Sequence, residues 1–240
     1  MNKAEIIQQL QRSILPLQGC RTSVTNHNLN LALGPIKYAF PNYTFPLGAV
    51  HEFLHTQQED IAATMGFVSV LLSSLMRSQR TVLWISSQQN IFPPALTSFG
   101  IAPERVIFLT LKKQKQILWA MEEALKCSAL AAVVAITDEL SFTTSRRLQL
   151  AVESSMVTGF VIRPHQKNLS TTSCVTRWQI KHLPTVAVDD LPGVGFPRWN
   201  IELLKVRNGK PGSWQVEWAE DKLRHISKVE RSFITHRKVV

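Results

Sequence analysis

Between residues 48 and 162 the chain repeats one pattern: a short, almost wholly apolar run followed by a stretch with helical spacing. The apolar runs are 49–54, 81–86, 105–109, 130–136 and 158–162. The helical stretches are 61–76, 113–127 and 144–154, with a helical turn at 94–99 closed by Gly100. Strands without polar alternation must be covered on both faces, and intervening helices supply that cover. The pattern therefore restricts the chain to an α/β architecture with a mostly parallel central sheet flanked by helices.

Beyond Arg163 the strands become longer and polar-interleaved, at 173–181, 198–207 and 213–218. Asn208-Gly209-Lys210-Pro211-Gly212 reads as a hairpin turn, which extends the sheet with antiparallel C-terminal strands. Ahead of the core, residues 2–15 read as an amphipathic helix. Asn2 and Glu5 stand at capping-box spacing, and Ile6, Ile7, Leu10, Ile14 and Leu15 form one apolar stripe. That stripe must be buried somewhere, on its own domain or on a partner. The expected organisation is a detached N-terminal helix (1–16), a loop-rich linker (17–46), a core domain (47–220) and a basic tail (221–240).

With 45% hydrophobic residues in 240, the chain can bury a sizeable core. Lys and Arg outnumber acids 27 to 17, a net charge of +10, which fits nucleic acid, an acidic protein surface or anionic lipid, and equally a merely solvated surface. Cys20, Cys127 and Cys174 form neither a disulfide framework nor a C-x-x-C metal set. The start lacks the continuous apolar core of a signal peptide, and no apolar run is long enough for a bilayer. A cytoplasmic protein, not bound to a membrane and with nucleoid association open to it, is the expectation.

Two motifs compete for the first strand. His51-Glu52-Phe53-Leu54-His55 spells H-E-x-x-H, in which two histidines one helical turn apart bind zinc and the glutamate serves as base. The compact third-ligand form is excluded, because Gln58 stands where glycine is needed and Ile61 where histidine is needed. The histidines also fall where the α/β series wants its first strand. A strand there leads to a polar turn and an apolar helix, the place of a phosphate loop. Such a loop needs glycine N–H groups, a lysine and a hydroxyl. Here Thr56-Gln57-Gln58-Glu59-Asp60-Ile61 provides neither glycine nor lysine, and two acids would repel a phosphate. Asp138, just beyond the 130–136 strand, suits a cap as well as a metal ligand.

Several blocks in fixed order carry a wider resemblance. They are Gly48 to Glu52, Leu118 to Cys127, Ser145 to Ala151, Pro197-Arg198-Trp199 to Leu204, and Gly209 to Trp218. Together they resemble the ImuA family, RecA-like accessory proteins of error-prone repair. The resemblance implies a RecA-like core with a terminal hairpin. The phosphate-loop lysine and hydroxyl of RecA proteins would fall near 60–63, and the water-activating glutamate at Gln88, which orients water but accepts no proton. The implied protein is therefore no enzyme and needs no cofactor: a pseudo-ATPase adaptor of the SOS response. Its implied partners are an ImuB-type polymerase-like protein and a replicative-type DNA polymerase, with single-stranded or damaged DNA and self-association as further possibilities. By analogy with RecA, Ile6, Ile7, Leu10 and Ile14 are partner-docking candidates. Arg163, His165, Lys167 and Arg177, around the loop after the last core strand, are DNA-contact candidates. A SulA-like cell-division inhibitor acting on FtsZ, and a zinc hydrolase using His51, Glu52 and His55, stand as alternatives.

Overall fold

A computed structural model describes residues 6, 9–10, 32–76, 80–89, 91–166, 169–186 and 195–226. One nine-stranded sheet organises them, in the order β3-β2-β4-β5-β1-β6-β7-β8-β9. Its strands are β1 (Val50–His55), β2 (Thr81–Ser86), β3 (Val106–Thr110), β4 (Leu130–Ile136), β5 (Thr158–Pro164), β6 (Thr176–Leu183), β7 (Arg198–Val206), β8 (Gly212–Ala219) and β9 (Lys222–His225). Every pairing from β3 across to β6 is parallel, and the pairings of β6, β7, β8 and β9 are antiparallel. Helices α1 (Gln58–Leu75), α2 (Gln114–Leu125) and α3 (Phe142–Ser155) make the crossovers. The first strand is thus central: β1 lies between β5 and β6, with Val50 opposite Gly159 and Phe53 opposite Trp178.

The two faces of the sheet carry separate apolar layers. Phe53, Phe160, Trp84, Trp178 and Trp199 pack with Phe67, Val68 and Leu71 of α1 on one side. Val50, Ile85, Val133 and Val161 pack with Ile117 and Met121 of α2 and Leu148 and Val152 of α3 on the other. Alternate residues of one strand therefore serve opposite layers. Gly66 lets α1 approach β7, since a Cβ there would lie 2.9 Å from the Trp199 ring. At the other end of α1, Arg105 Nη2 donates to the carbonyls of Met76 and Arg80, both at 2.6 Å.

Two segments differ from their sequence reading. Part of the stretch expected as linker is packed against the α1 layer: Leu33, Ile36, Phe40 and Phe45 are at most 3% exposed, and short 3-10 turns at Gly34–Ala39 and Pro41–Tyr43 shape the chain there. Its apolar residues serve a buried ring cluster rather than a periodic element; Phe40 meets both Phe45 and Trp178. Within the expected basic tail, Lys222–His225 adds a strand to β8. Glu220 and Asp221 both take positive φ (51° and 57°), the conformation of a two-residue turn matched to strand twist.

Candidate functional site

The H-E-x-x-H residues lie on a strand, and this settles their chemistry. Residues four apart on a strand are separated by about 13 Å, too far for two histidines to share an ion held at about 2 Å. The zinc-hydrolase reading is corrected accordingly. His51 is fully buried between the rings of Phe45 and Phe160, at centroid distances of 4.5 and 5.6 Å. Its Nε2 lies 2.9 Å from the Pro46 carbonyl, which only accepts, so Nε2 carries the proton. Nδ1 then accepts from the Thr176 hydroxyl at 2.7 Å, and that hydroxyl in turn accepts from Trp178 Nε1 at 2.7 Å. Burial pushes the imidazole pKa down to about 3, with the Pro46 bond opposing, so the ring is neutral.

Glu52 points to the opposite face and is also fully buried. Two arginines share its carboxylate: Arg163 Nε donates to Oε1 at 2.7 Å, and Arg177 Nε donates to Oε2 at 2.6 Å. Thr172 Oγ1 adds a donor at 2.9 Å, while Arg177 Nη2 donates to the Ser170 carbonyl at 2.6 Å. The cluster therefore ties β1, β5 and β6 to the segment that follows β5. Arg163 and Arg177 are 1% and 9% exposed, so the expectation that they contact DNA is corrected. They neutralise an internal carboxylate that would otherwise be very costly to bury. Next to them, burial and the Glu52 charge push the Cys174 thiol up to about 12.

Only Thr56 and Gln57 separate β1 from α1. The first turn of α1 contains Gln58, Glu59, Asp60 and Ile61, and of these Asp60 is buried. One carboxylate oxygen of Asp60 accepts from the Gln57 N–H at 3.1 Å. The other accepts from the His182 N–H at 3.0 Å and faces His182 Nδ1 at 2.9 Å. Desolvation is the largest influence on its pKa and acts upward. The bonds from His182, Gln57 and Thr56 together outweigh it and hold the group below the usual carboxylate range. A protein carboxylate thus sits at the helix N-terminus, where a phosphate would be drawn by the same N–H groups and dipole. His55, at the end of β1, is half-buried, and its carbonyl accepts from the His165 N–H at 2.8 Å.

The remaining candidates are dispersed. Gln88 lies just beyond β2, exposed, with its carbonyl accepting from Ser86 Oγ at 2.6 Å. Asp138 is clamped by Gln114 at the start of α2, through Nε2 at 2.6 Å and Oε1 at 3.2 Å. His165 is half-buried, and Ile6 and Leu10 are exposed in helical conformation. Lys167, Ile7 and Ile14 lie outside the described residues. Sequence reasoning missed the Glu52 cluster and the role of Asp60. The available signal was an acid inside an apolar strand, which requires a buried counter-charge. No helix among the described residues is long and apolar enough to cross a membrane.

Six parallel strands with helical crossovers, a helix launched directly from the central strand and three appended antiparallel strands define a RecA-like α/β protein. The solved structure of the RadB recombinase shares this fold at a TM-score of 0.52 and 15% identity, over 75% of this chain and 92% of that one. Protein ImuA of Caulobacter vibrioides (strain NA1000 / CB15N) is 33% identical over 193 residues, 75% of this chain and 79% of the relative. The chain belongs to the ImuA family. Residues 48–159 also match the family model for cell division inhibitor SulA, and SulA of Yersinia pestis (strain Pestoides F) is 26% identical over 130 residues, 54% of this chain and 76% of that protein.

Proposed function

We propose that this protein is a non-catalytic adaptor in DNA-damage-induced, error-prone translesion synthesis, joining an ImuB-type polymerase-like protein to a replicative-type DNA polymerase. The observation that carries the non-catalytic part is Asp60: its carboxylate engages the Gln57 N–H at the point where a phosphate loop would offer main-chain donors. Gln88, at the position of the water-activating acid, supplies no base. Family membership supports the mutagenic role. In this reading Ile6, Ile7, Leu10 and Ile14 are the partner-docking residues, and the protein acts in the cytoplasm or at the nucleoid. With Arg163 and Arg177 internal, direct DNA contact rests on His165 and Lys167.

Co-purification of tagged protein with the polymerase-like partner after DNA damage, lost on Leu10→Asp, is the expected result. Capture of FtsZ in its place would overturn the adaptor reading in favour of a division inhibitor, which the match over residues 48–159 favours specifically. ATP hydrolysis above a buffer blank, abolished by Gln88→Ala, would sink the non-catalytic claim.

A further inference from the structure

Two tyrosines stand out from the segment that leads into β1. Tyr38 is 62% and Tyr43 59% exposed, and their rings meet edge to face, 5.3 Å between centroids and 77° between planes. Tyr43 follows Asn42 in left-handed backbone, with φ of 56° after 53°. Asparagine tolerates that region, but a bulky aromatic residue is seldom found there, and it stays only where its surroundings impose it. The Tyr43 and Thr44 N–H groups donate to the Phe40 and Pro41 carbonyls at 3.1 and 3.2 Å, and Thr44 Oγ1 donates to the Asn42 carbonyl at 3.0 Å. These bonds hold a conformation that costs stability and turns a ring toward solvent, so burial does not account for it.

The turn between β7 and β8 is docked on the same segment. Lys210 N–H donates to the Ala39 carbonyl at 2.8 Å, and a Cβ on Gly209 would lie 2.3 Å from that oxygen, so glycine is needed for the approach. Exposed Lys210 thereby joins the tyrosine turn, where Lys37 Nζ stands 5.3 Å from the Tyr38 centroid. Residues 32–51 and 203–216 contain Lys37, Lys205, Arg207 and Lys210 and no acid. Glu220 and Asp221 lie past the far end of β8. Because Val206 pairs with Thr176 at the start of β6, this surface lies at the N-terminal ends of the parallel strands. His165 follows the C-terminal end of β5, at the opposite end of the sheet.

We propose that Tyr38, Tyr43, Lys37 and Lys210 form a docking surface for single-stranded nucleic acid. Bases stack on the tyrosine rings, and the phosphates between them lie against the two ammonium groups. Unpaired bases expose flat faces that any aromatic ring can meet, so the surface accepts many sequences, whereas a duplex hides those faces. An acidic peptide would match the lysines and leave the rings without a partner. A second copy of this chain would bring a further charge of +10 to a surface without acids, so charge complementarity opposes it. The inference does not rest on the adaptor reading, and its surface is separate from the contact through His165 and Lys167.

The test uses the full chain and a fluorescent single strand of about fifteen thymidines, followed by anisotropy. Saturable binding that weakens with salt is expected, with the duplex of the same length bound more weakly. Tyr38→Ala with Tyr43→Ala is expected to weaken binding by about tenfold or more, and Tyr43→Phe, which keeps the ring, by no more than about twofold. Lys37→Ala and Lys210→Ala should each lower the slope of log K against log salt by about 0.7. A strand of the same charge whose bases are replaced by abasic spacers should bind weakly and be indifferent to the tyrosine variants. Tyr43→Gly suits the left-handed backbone, so it is expected to keep or raise the melting temperature while weakening binding. Circular dichroism checks that each variant is folded. No binding of the strand, binding indifferent to the tyrosines, or loss confined to His165→Ala with Lys167→Ala would overturn the proposal. So would a polyglutamate peptide that binds as tightly as the strand and depends on the same tyrosines, since the surface would then belong to an acidic protein segment.

Discussion

Acidification gives a sharp test of how His51 is held. The imidazole is fully buried and neutral, with a pKa lowered from 6.5 to about 3. When the chain unfolds, the ring regains its ordinary affinity for protons, so the unfolded state binds more protons than the folded state throughout the window from about 6.5 down to about 3. Stability from this residue is therefore complete above the unfolded value and falls as pH falls, at about 1.4 kcal/mol per pH unit inside the window. Between pH 7 and pH 5 this amounts to about 2 kcal/mol. The perturbation is His51→Gln. Its amide N–H can reach the Pro46 carbonyl and its oxygen can face the Thr176 hydroxyl, while it has nothing to titrate. Urea unfolding of both proteins at pH 7 and pH 5 reads the difference, because the other titrating groups are common to both. Wild type is expected to lose about 2 kcal/mol more than the variant over that interval. Parallel losses, within about 0.5 kcal/mol, would refute the assignment of His51 as a buried neutral ring.

Glu52→Gln leaves Arg163 and Arg177 facing each other without a full counter-charge and is expected to destabilise the fold by about 3–5 kcal/mol in urea melts. Asp60→Ala removes the acceptor for the Gln57 and His182 N–H groups; a loss of about 1–2 kcal/mol is expected by the same melts. Because the Asp60 pKa is depressed by folding, wild type and Asp60→Ala should converge in stability as the solution is acidified through the carboxylate range. Iodoacetamide at neutral pH is expected to alkylate exposed Cys127 in the native protein and to leave Cys174 unmodified until the chain is unfolded, as peptide mass mapping would show.

The five parallel strands from β1 to β5 were legible because each is a short apolar run, and the hairpin between β7 and β8 because its turn holds Asn208 and Gly209. Partnership was not legible. Arg163 and Arg177 read as surface cations, since nothing local reveals that Glu52, more than a hundred positions earlier, claims both. The packed part of the linker was hidden for a related reason. Leu33, Ile36, Phe40 and Phe45 are spaced by the needs of one aromatic cluster and follow no period. Asp60 was recognised as hostile to phosphate, but its own donors include the His182 main chain, which only the fold brings near. In each case the missing information was tertiary. Local pattern records which groups must be buried, and seldom what meets them there.

The central place of β1 also sets a clock for synthesis. Its two neighbours, β5 and β6, begin at Thr158 and Thr176, so the strand leaves the ribosome more than a hundred residues before either partner exists. At bacterial or eukaryotic elongation rates of about 5–20 residues per second, that interval is on the order of ten seconds. During it β2, β3 and β4 can pair with one another, while Phe53 and Leu54 have no sheet to enter. The nascent chain therefore carries an unpartnered apolar strand for much of its translation, until β5 and β6 arrive to flank it.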